Sequence, residues 1–376
     1  MTAQATLKTW VAEPPPREVQ DALARLCRTP DVVHVAVMPD VHLAEDVCVG
    51  TVVATGSTLL PAAVGGDIGC GMAAVAFDGE AAALDDARAA AAVLGGLGRA
   101  IPALRRPGPA PALPPALAER ELSAPGLESL KRRTAALQLG TLGRGNHFLE
   151  LQADEEGRLW LMVHSGSRGI GPAIRDHHDA RGERLPGGLR ALAADGADGA
   201  AYLSDLGWAL EYAAHNRARM VEAAAEVVRT CLGRQVCADT SIACHHNFVR
   251  REAIGGRELW VHRKGAIPAA DGEFGVIPGS MGAPSYHVRG RGCAAALCSS
   301  AHGAGRQMSR VEARRRVGAS ELVRQMRGVW FDHRAAELLR DEAPSAYKDV
   351  GAVMRAQREL TAVVRRLRPV LSFKGG

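Results

Sequence analysis

A chain of 376 residues with 47% hydrophobic and only 4% aromatic side chains is long enough to bury its own core, built mainly from Ala, Leu and Val, without covalent staples. Its formal net charge of +5 and pI near 8.9 admit a polyanionic partner without demanding one, since many enzymes are mildly basic. Eight scattered cysteines with no Cys-x-x-Cys pair argue against a disulfide framework. Met1 to Pro16 holds no basic-then-apolar leader, and no run of about 18 apolar residues exists to span a bilayer. A cytoplasmic protein with no membrane partner is expected.

In chain order, Asp31 to Val37 alternates apolar with other residues, which predicts a strand running into Met38-Pro-Asp-Val-His42 and delivering Asp40 and His42 at its tip. Thr51 to Thr55 predicts another short strand. Glu80 to Leu97 predicts an Ala-rich helix closed by glycines, with Asp85 and Asp86 near its start. Ile101 to Pro115 carries six prolines and reads as a surface loop. Gly140 to Leu151 predicts a loop and then a strand, and Leu159 to His164 a strand entering Ser165-Gly-Ser-Arg-Gly-Ile-Gly171. Ala200 to Leu232 has the length and spacing of a long helix, and Gln307 to Leu339 predicts one or two more. His177-His178-Asp179 and Arg314-Arg315-Arg316 read as solvated helix faces. Gly-rich loops recur without a period, so no internal repeat is present.

The chemistry starts at Val64-Gly-Gly-Asp-Ile-Gly-Cys-Gly-Met72, where glycines allow a tight loop presenting Asp67 and Cys70 to one point. A carboxylate beside a thiolate suits Mn, Zn, Fe or Co better than Ca or Mg, although a buried cysteine in a Gly-rich turn would give the same pattern. Four histidine segments shift that balance: Gly143-Arg-Gly-Asn-His147, His164-Ser-Gly-Ser-Arg168, Cys244-His-His-Asn247 and Ser299-Ser-Ala-His302. Imidazole suits the same metals, and a bridging thiolate can hold two ions within about 4 Å, as in phosphoryl transfer. Ser165 to Gly171, Pro278-Gly-Ser-Met-Gly282 and Gly303-Ala-Gly-Arg306 offer freed backbone N–H groups, hydroxyls and arginines suited to phosphate. Neither a Gly-x-x-x-x-Gly-Lys-Ser/Thr loop nor a Lys-x-Asp-Gly nucleophile occurs, which excludes the ordinary P-loop NTPases and common nucleotidyl-transferring ligases.

From about Val35 onward the chain resembles the RtcB RNA ligases. The resemblance rests on Met38-Pro-Asp-Val-His42, Asp67-Ile-Gly-Cys-Gly71, Gly145-Asn-His-Phe-Leu-Glu150, His164-Ser-Gly-Ser-Arg-Gly169 and His246-Asn247. It continues through His262-Arg-Lys-Gly-Ala266, Ile277-Pro-Gly-Ser-Met-Gly282, His302-Gly-Ala-Gly-Arg-Gln-Met-Ser-Arg310, Ala346-Tyr-Lys-Asp349 and Lys374-Gly375, all in family order. It implies one α+β catalytic domain over residues 1–376, with mixed sheets and helices around a dinuclear metal cleft. Two Mn ions would share Cys70, one completed by Asp67 and His147, the other by His164 and His246. His302 matches the histidine that attacks the α-phosphate of GTP and becomes guanylylated. Asn146, Glu150, His246, Asn247, Ser280, Ala304, Gly305, Tyr347 and Lys374 fall where the family contacts guanosine phosphate. Arg144, Arg168, His262, Arg263 and Lys264 are candidates for gripping a polynucleotide backbone.

The implied activity is GTP- and Mn-dependent joining of RNA 3′-phosphate or 2′,3′-cyclic phosphate ends to 5′-hydroxyl ends through a His302–GMP intermediate, in RNA repair or tRNA splicing. Archease, an activator that some relatives use, is a candidate partner. After His42 the chain departs from the family: Leu43-Ala-Glu-Asp46 replaces a Gly-rich continuation and adds two acids. That departure keeps open an enzyme that caps 3′-phosphate ends of RNA or DNA with GMP without sealing. A dinuclear phosphoesterase would need the same ligands but no GTP, whereas a binding module with a dead centre should have lost Cys70 or His302.

Overall fold

Strand Val32–His42 is buried along most of both faces, so its apolar residues run together beyond the alternation read at its start, through Met38 to Val41. It lies in a five-stranded sheet ordered Thr6–Thr9, Val32–His42, Val49–Thr55, Arg257–Lys264, Asn247–Ile254, in which only the first pair is parallel. The computed structural model describes residues 5–106 and 112–375. Its architecture is α+β, as the resemblance implied.

A second, seven-stranded antiparallel sheet runs Val236–His245, Gly71–Glu80, Arg158–Ser165, Phe148–Ala153, Thr361–Phe373, Ser285–Gly290, Phe274–Ile277. Its register matters more than its size. Met72 pairs with Cys244 on one side and His164 on the other, and His164 pairs with Phe148. Cys70, His147, His164 and His246 therefore reach the same end of four adjacent strands. Gly71 makes the closest approach there, since a Cβ on it would sit 2.0 Å from the Cys244 carbonyl oxygen.

Helix Ala197–Leu232 buries Leu206, Trp208, Tyr212, Met220 and Val228 along one side and stops at Gly233, in the left-handed conformation at φ +67°, the usual glycine termination. Its Asn216 and Arg217 are also buried. Asn216 accepts from the Gly140 and Thr141 N–H groups, and Arg217 donates to the carbonyls of Gly69 and Ser165 at 2.8 Å each. One helix thus stitches together the loops that enter the seven-stranded sheet.

Several expectations change. The Ala-rich helix spans Ala87–Ala100, capped by Asp86, and passes through Gly95, Gly96 and Gly98 rather than ending at them. Gly96 is there for packing: a Cβ would meet Val227 of the long helix at 2.6 Å. Of the Pro-rich segment, residues 107–111 lie outside the described residues, Ile101 is buried, and Pro115 begins a helix, Pro115–Glu119. His178 is not solvated. It is buried and donates from Nε2 to Asp205 at 2.7 Å, where Ser123 also donates, so it ties helix Ile170–Arg181 to the long helix. Arg314 to Arg316 close the exposed helix Arg310–Arg316 as read. Among the described residues no helix is long and apolar enough to cross a membrane.

Candidate metal and nucleotide site

A cleft of about 880 Å³ opens where the two sheets meet, with walls drawn from Pro16 to Lys374. At its floor Cys70 Sγ lies 3.3 Å from His147 Nε2 and 3.1 Å from His164 Nε2; His147 Nε2 lies 2.8 Å from Asp67 Oδ2, and His164 Nε2 lies 3.0 Å from His246 Nε2. All five proposed ligands are together. Cys70, His147 and His164 by themselves bring one donor atom each within 4.8 Å of one another.

The hydrogen bonds behind the rings test whether a cation fits. His164 Nδ1 faces the Asn146 carbonyl at 3.0 Å, so it carries the proton. His246 Nδ1 faces Asn247 Oδ1 at 3.1 Å; that oxygen is identified because the Gly265 N–H donates to it while Asn247 Nδ2 donates to the Asp67 carbonyl. Both histidines must then present bare Nε2 lone pairs, 3.0 Å apart and beside a sulfur. Facing lone pairs repel, and a shared divalent cation removes the conflict. Thiolate, imidazole and carboxylate together suit a borderline metal.

The site's electrostatics agree. Burial and the Asp67 charge push the Cys70 thiol well up, against pulls from Arg217 and Arg168, so a cation would have to displace its proton. Burial raises Asp67 too, but His147, Cys70 and Arg168 outweigh it and hold the carboxyl down at about 2. Burial drives His164 and His246 well below the ordinary imidazole range, helped by their neighbours' charges. Neutral imidazole is the ligating form.

His302 sits beside this cluster, its ring centroid 4.6 Å from that of His246. Its Nδ1–H donates to Asp40 Oδ2 at 2.6 Å, and Asp40 is fully buried. The Nε2 lone pair is thereby left free as a nucleophile. Gly305, at φ +72°, lets the following loop close over this pair, because a Cβ would lie 2.2 Å from the Asp40 carbonyl oxygen.

Asn146, Glu150, His246, Asn247, Ser280, Ala304, Gly305, Tyr347 and Lys374 all line the cleft. Glu150 accepts from Gln152 Nε2 at 2.7 Å, and burial pushes its carboxyl up to about 8 despite Gln152 and Lys374. Arg306 covers one face of the Tyr347 ring, 5.0 Å from its centroid.

The candidates for gripping RNA separate. Arg144 is exposed and Arg168 half-buried, but Arg168 Nη1 already donates to His147 Nδ1 at 3.1 Å. This puts the His147 proton on Nε2, where it donates to Asp67 Oδ2 at 2.8 Å, so His147, unlike His164 and His246, would ligate only with its proton moved to Nδ1 and Arg168 released. His262 and Arg263 are fully buried and cannot reach a polynucleotide. His262 accepts the Leu60 N–H and donates to the Val53 carbonyl, while Arg263 pairs with Glu252 and bonds to Ser299. They are withdrawn from that role. Lys264 lines the cleft and donates to the Glu45 carbonyl at 3.1 Å. Burial lowers its pKa, and Asp46 is the strongest opposing influence, so the extra acids act on Lys264.

Three contributors escaped the sequence reading. Asp40 had a signal, an acid at the tip of a strand, but not its partner. Arg217 was one arginine in a helical run, and Glu342 one acid after another; neither has a local signature.

The family model described as tRNA-splicing ligase RtcB matches residues 22–124 and 116–375. RNA-splicing ligase RtcB1 of Escherichia coli is 37% identical over 404 aligned positions, covering 100% of this chain and 98% of that protein. RNA-splicing ligase RtcB of Escherichia coli strain K12 is 36% identical with the same coverage. RNA-splicing ligase RtcB2 of Escherichia coli is 31% identical over 92% of this chain and 89% of its own length.

Proposed function

The chain belongs to the RtcB family, and from that premise we propose that it is a cytoplasmic, GTP- and Mn-dependent RNA ligase, one catalytic unit over residues 1–376. It joins RNA 3′-phosphate or 2′,3′-cyclic phosphate ends to 5′-hydroxyl ends. The observation that carries this reading is His302, oriented by a buried carboxylate and set in one cleft beside the bare Nε2 atoms of His164 and His246.

His302 Nε2 attacks the α-phosphorus of GTP; the N–P bond forms as the P–O bond to pyrophosphate breaks. Asp40 keeps the Nδ1 proton and stabilises the positive charge that the ring acquires. Water opens a cyclic phosphate by breaking its bond to O2′, and the resulting 3′-phosphate takes GMP from His302, which returns to neutral imidazole. The 5′-hydroxyl then attacks that 3′-phosphate and GMP leaves. Asp67, Cys70, His147, His164 and His246 would hold Mn, which would supply Lewis-acid neutralisation of phosphate charge. Glu150 and Lys374 offer an acceptor and a donor for the guanine edge, Asn146 hydrogen bonds for the phosphate, and Arg144 and Lys264 contacts for the RNA backbone.

The test is incubation with Mn and GTP labelled at the α-phosphate, with and without His302→Ala. Acid-labile, alkali-stable label on the wild type alone supports the reading. Hydrolysis of cyclic phosphate with no label on the protein overturns it in favour of a phosphoesterase, and label that moves to a 3′-end without strand joining favours capping.

A further inference from the structure

In the wall of the same cleft, one buried carboxylate collects four donors. Glu342 is 3% exposed. Tyr347 Oη donates to its Oε2 at 2.7 Å, and Lys374 Nζ donates to the same oxygen. Arg310 Nη1 donates to Oε1, and Arg306 Nη1 reaches that oxygen at 3.4 Å. All four donors and Glu342 line the cleft. They come from three stretches of chain: the loop following His302, the segment before helix Val350–Ala356, and the residues after strand Thr361–Phe373.

The arrangement does more than neutralise charge. With its hydroxyl held by Glu342 and one ring face covered by Arg306, Tyr347 keeps a single orientation in the wall of the cleft. Lys374 Nζ also donates to the Gly145 carbonyl at 3.2 Å, so two acceptors fix an ammonium that would otherwise sample many rotamers. Its side chain is 4% exposed. A ring and a cation are thereby ordered before any ligand arrives, on the side of the cleft that also holds Glu150. Preorganisation of this kind lowers the cost of binding.

We propose that Glu342 is the positioning residue for the guanine end of the cleft, acting through Tyr347 and Lys374 without touching the reacting atoms. The proposal rests on the guanine-nucleotide reading of the site. Glu342→Gln keeps the volume but replaces an oxygen by an amino group that faces donors. The Mn-loaded protein carrying it should bind GTP about tenfold or more weakly, while its Mn content and the first-order rate of GMP transfer at saturating GTP stay within about threefold of wild type.

Tyr347→Phe, which removes one hydroxyl, provides a variant with little risk to folding. Because Glu342 acts partly through that hydroxyl, the double variant should lose at least about threefold less affinity than the product of the two single losses. The experiment is equilibrium titration of GTP into wild type, both single variants and the double variant, with α-phosphate labelling run alongside. A Glu342→Gln affinity within twofold of wild type, a loss confined to the transfer rate, or fully multiplicative single effects would overturn the proposal. Wild type that binds GTP but takes no label refutes the covalent ligase reading and leaves Glu342 to be judged on the binding constants alone. Wild type that binds no GTP overturns both.

Discussion

Replacing Asp40 by Asn tests the arrangement of His302 most directly. Asp40 Oδ2 accepts the Nδ1–H at 2.6 Å in a fully buried position, so the bond is charge-assisted and water cannot substitute for it. Such a bond contributes about 1.5–3 kcal/mol. If the carboxylate stabilises the charged ring as the N–P bond forms, losing its charge slows His302 guanylylation by about 10- to 150-fold, at roughly 1.4 kcal/mol per tenfold. An asparagine amino group turned toward Nδ1 would also favour the wrong tautomer and slow it further. The assay is single-turnover transfer of labelled GMP at saturating GTP and Mn, with metal content measured on the same samples. The metal cluster makes no hydrogen bond to Asp40, so Mn stoichiometry should persist. A transfer rate within threefold of wild type, with metal intact, refutes the orienting role.

Glu150, raised to about 8 by burial, stands above the ordinary carboxylate value of about 4.3. Its contribution to stability is complete below about pH 4.3 and is lost as pH rises through about 8; Glu150→Gln should flatten that part of the melting-temperature profile. If the carboxylate is the acceptor for guanine, GTP affinity should rise as the pH passes through about 8 in wild type and not in the variant, as titrations across pH would register. Mn at a hundredfold excess over its dissociation constant should stabilise the wild type by about 2.7 kcal/mol, and calorimetry of Cys70→Ala or His164→Ala should show little of that gain. Arg263→Ala removes a fully buried guanidinium from Glu252, whose part-exposed side chain stays paired with Arg250, and should cost about 1.5–3 kcal/mol in denaturant unfolding, leaving the RNA affinity of the folded fraction unchanged. Lys264→Ala should weaken RNA binding and make the logarithmic salt dependence shallower by about 0.7–0.9; an unchanged slope removes Lys264 from the RNA path.

The sequence by itself determined the donor types. Glycine within two residues of Asp67, Cys70, His147, His164 and His302 is a local pattern, because a side chain that must reach a ligand from a tight turn needs neighbours that permit the turn. The strands were legible for a similar reason: Val32–His42, Val49–Thr55 and Arg158–Ser165 are short and apolar, with composition and length pointing the same way. Long helix Ala197–Leu232 announced itself by periodicity.

Only the tertiary structure decided which donors share a point and which charges remain available. Met72 pairing with both Cys244 and His164 sets the metal cluster, and strand register is a long-range property with no local signature. His262 and Arg263 show the converse. Their sequence offers candidates for gripping a polynucleotide backbone, but pairing with Val49–Thr55 on one side and Asn247–Ile254 on the other encloses both side chains, and burial turns a candidate RNA contact into an internal hydrogen-bond partner. Asp40, Arg217 and Glu342 act across separations of 262, 148 and 32 residues on His302, Gly69 and Lys374. A charged side chain takes its role from whatever the fold places within about 3 Å of it, and for these three that partner is fixed only when the sheets and the long helix close on one another.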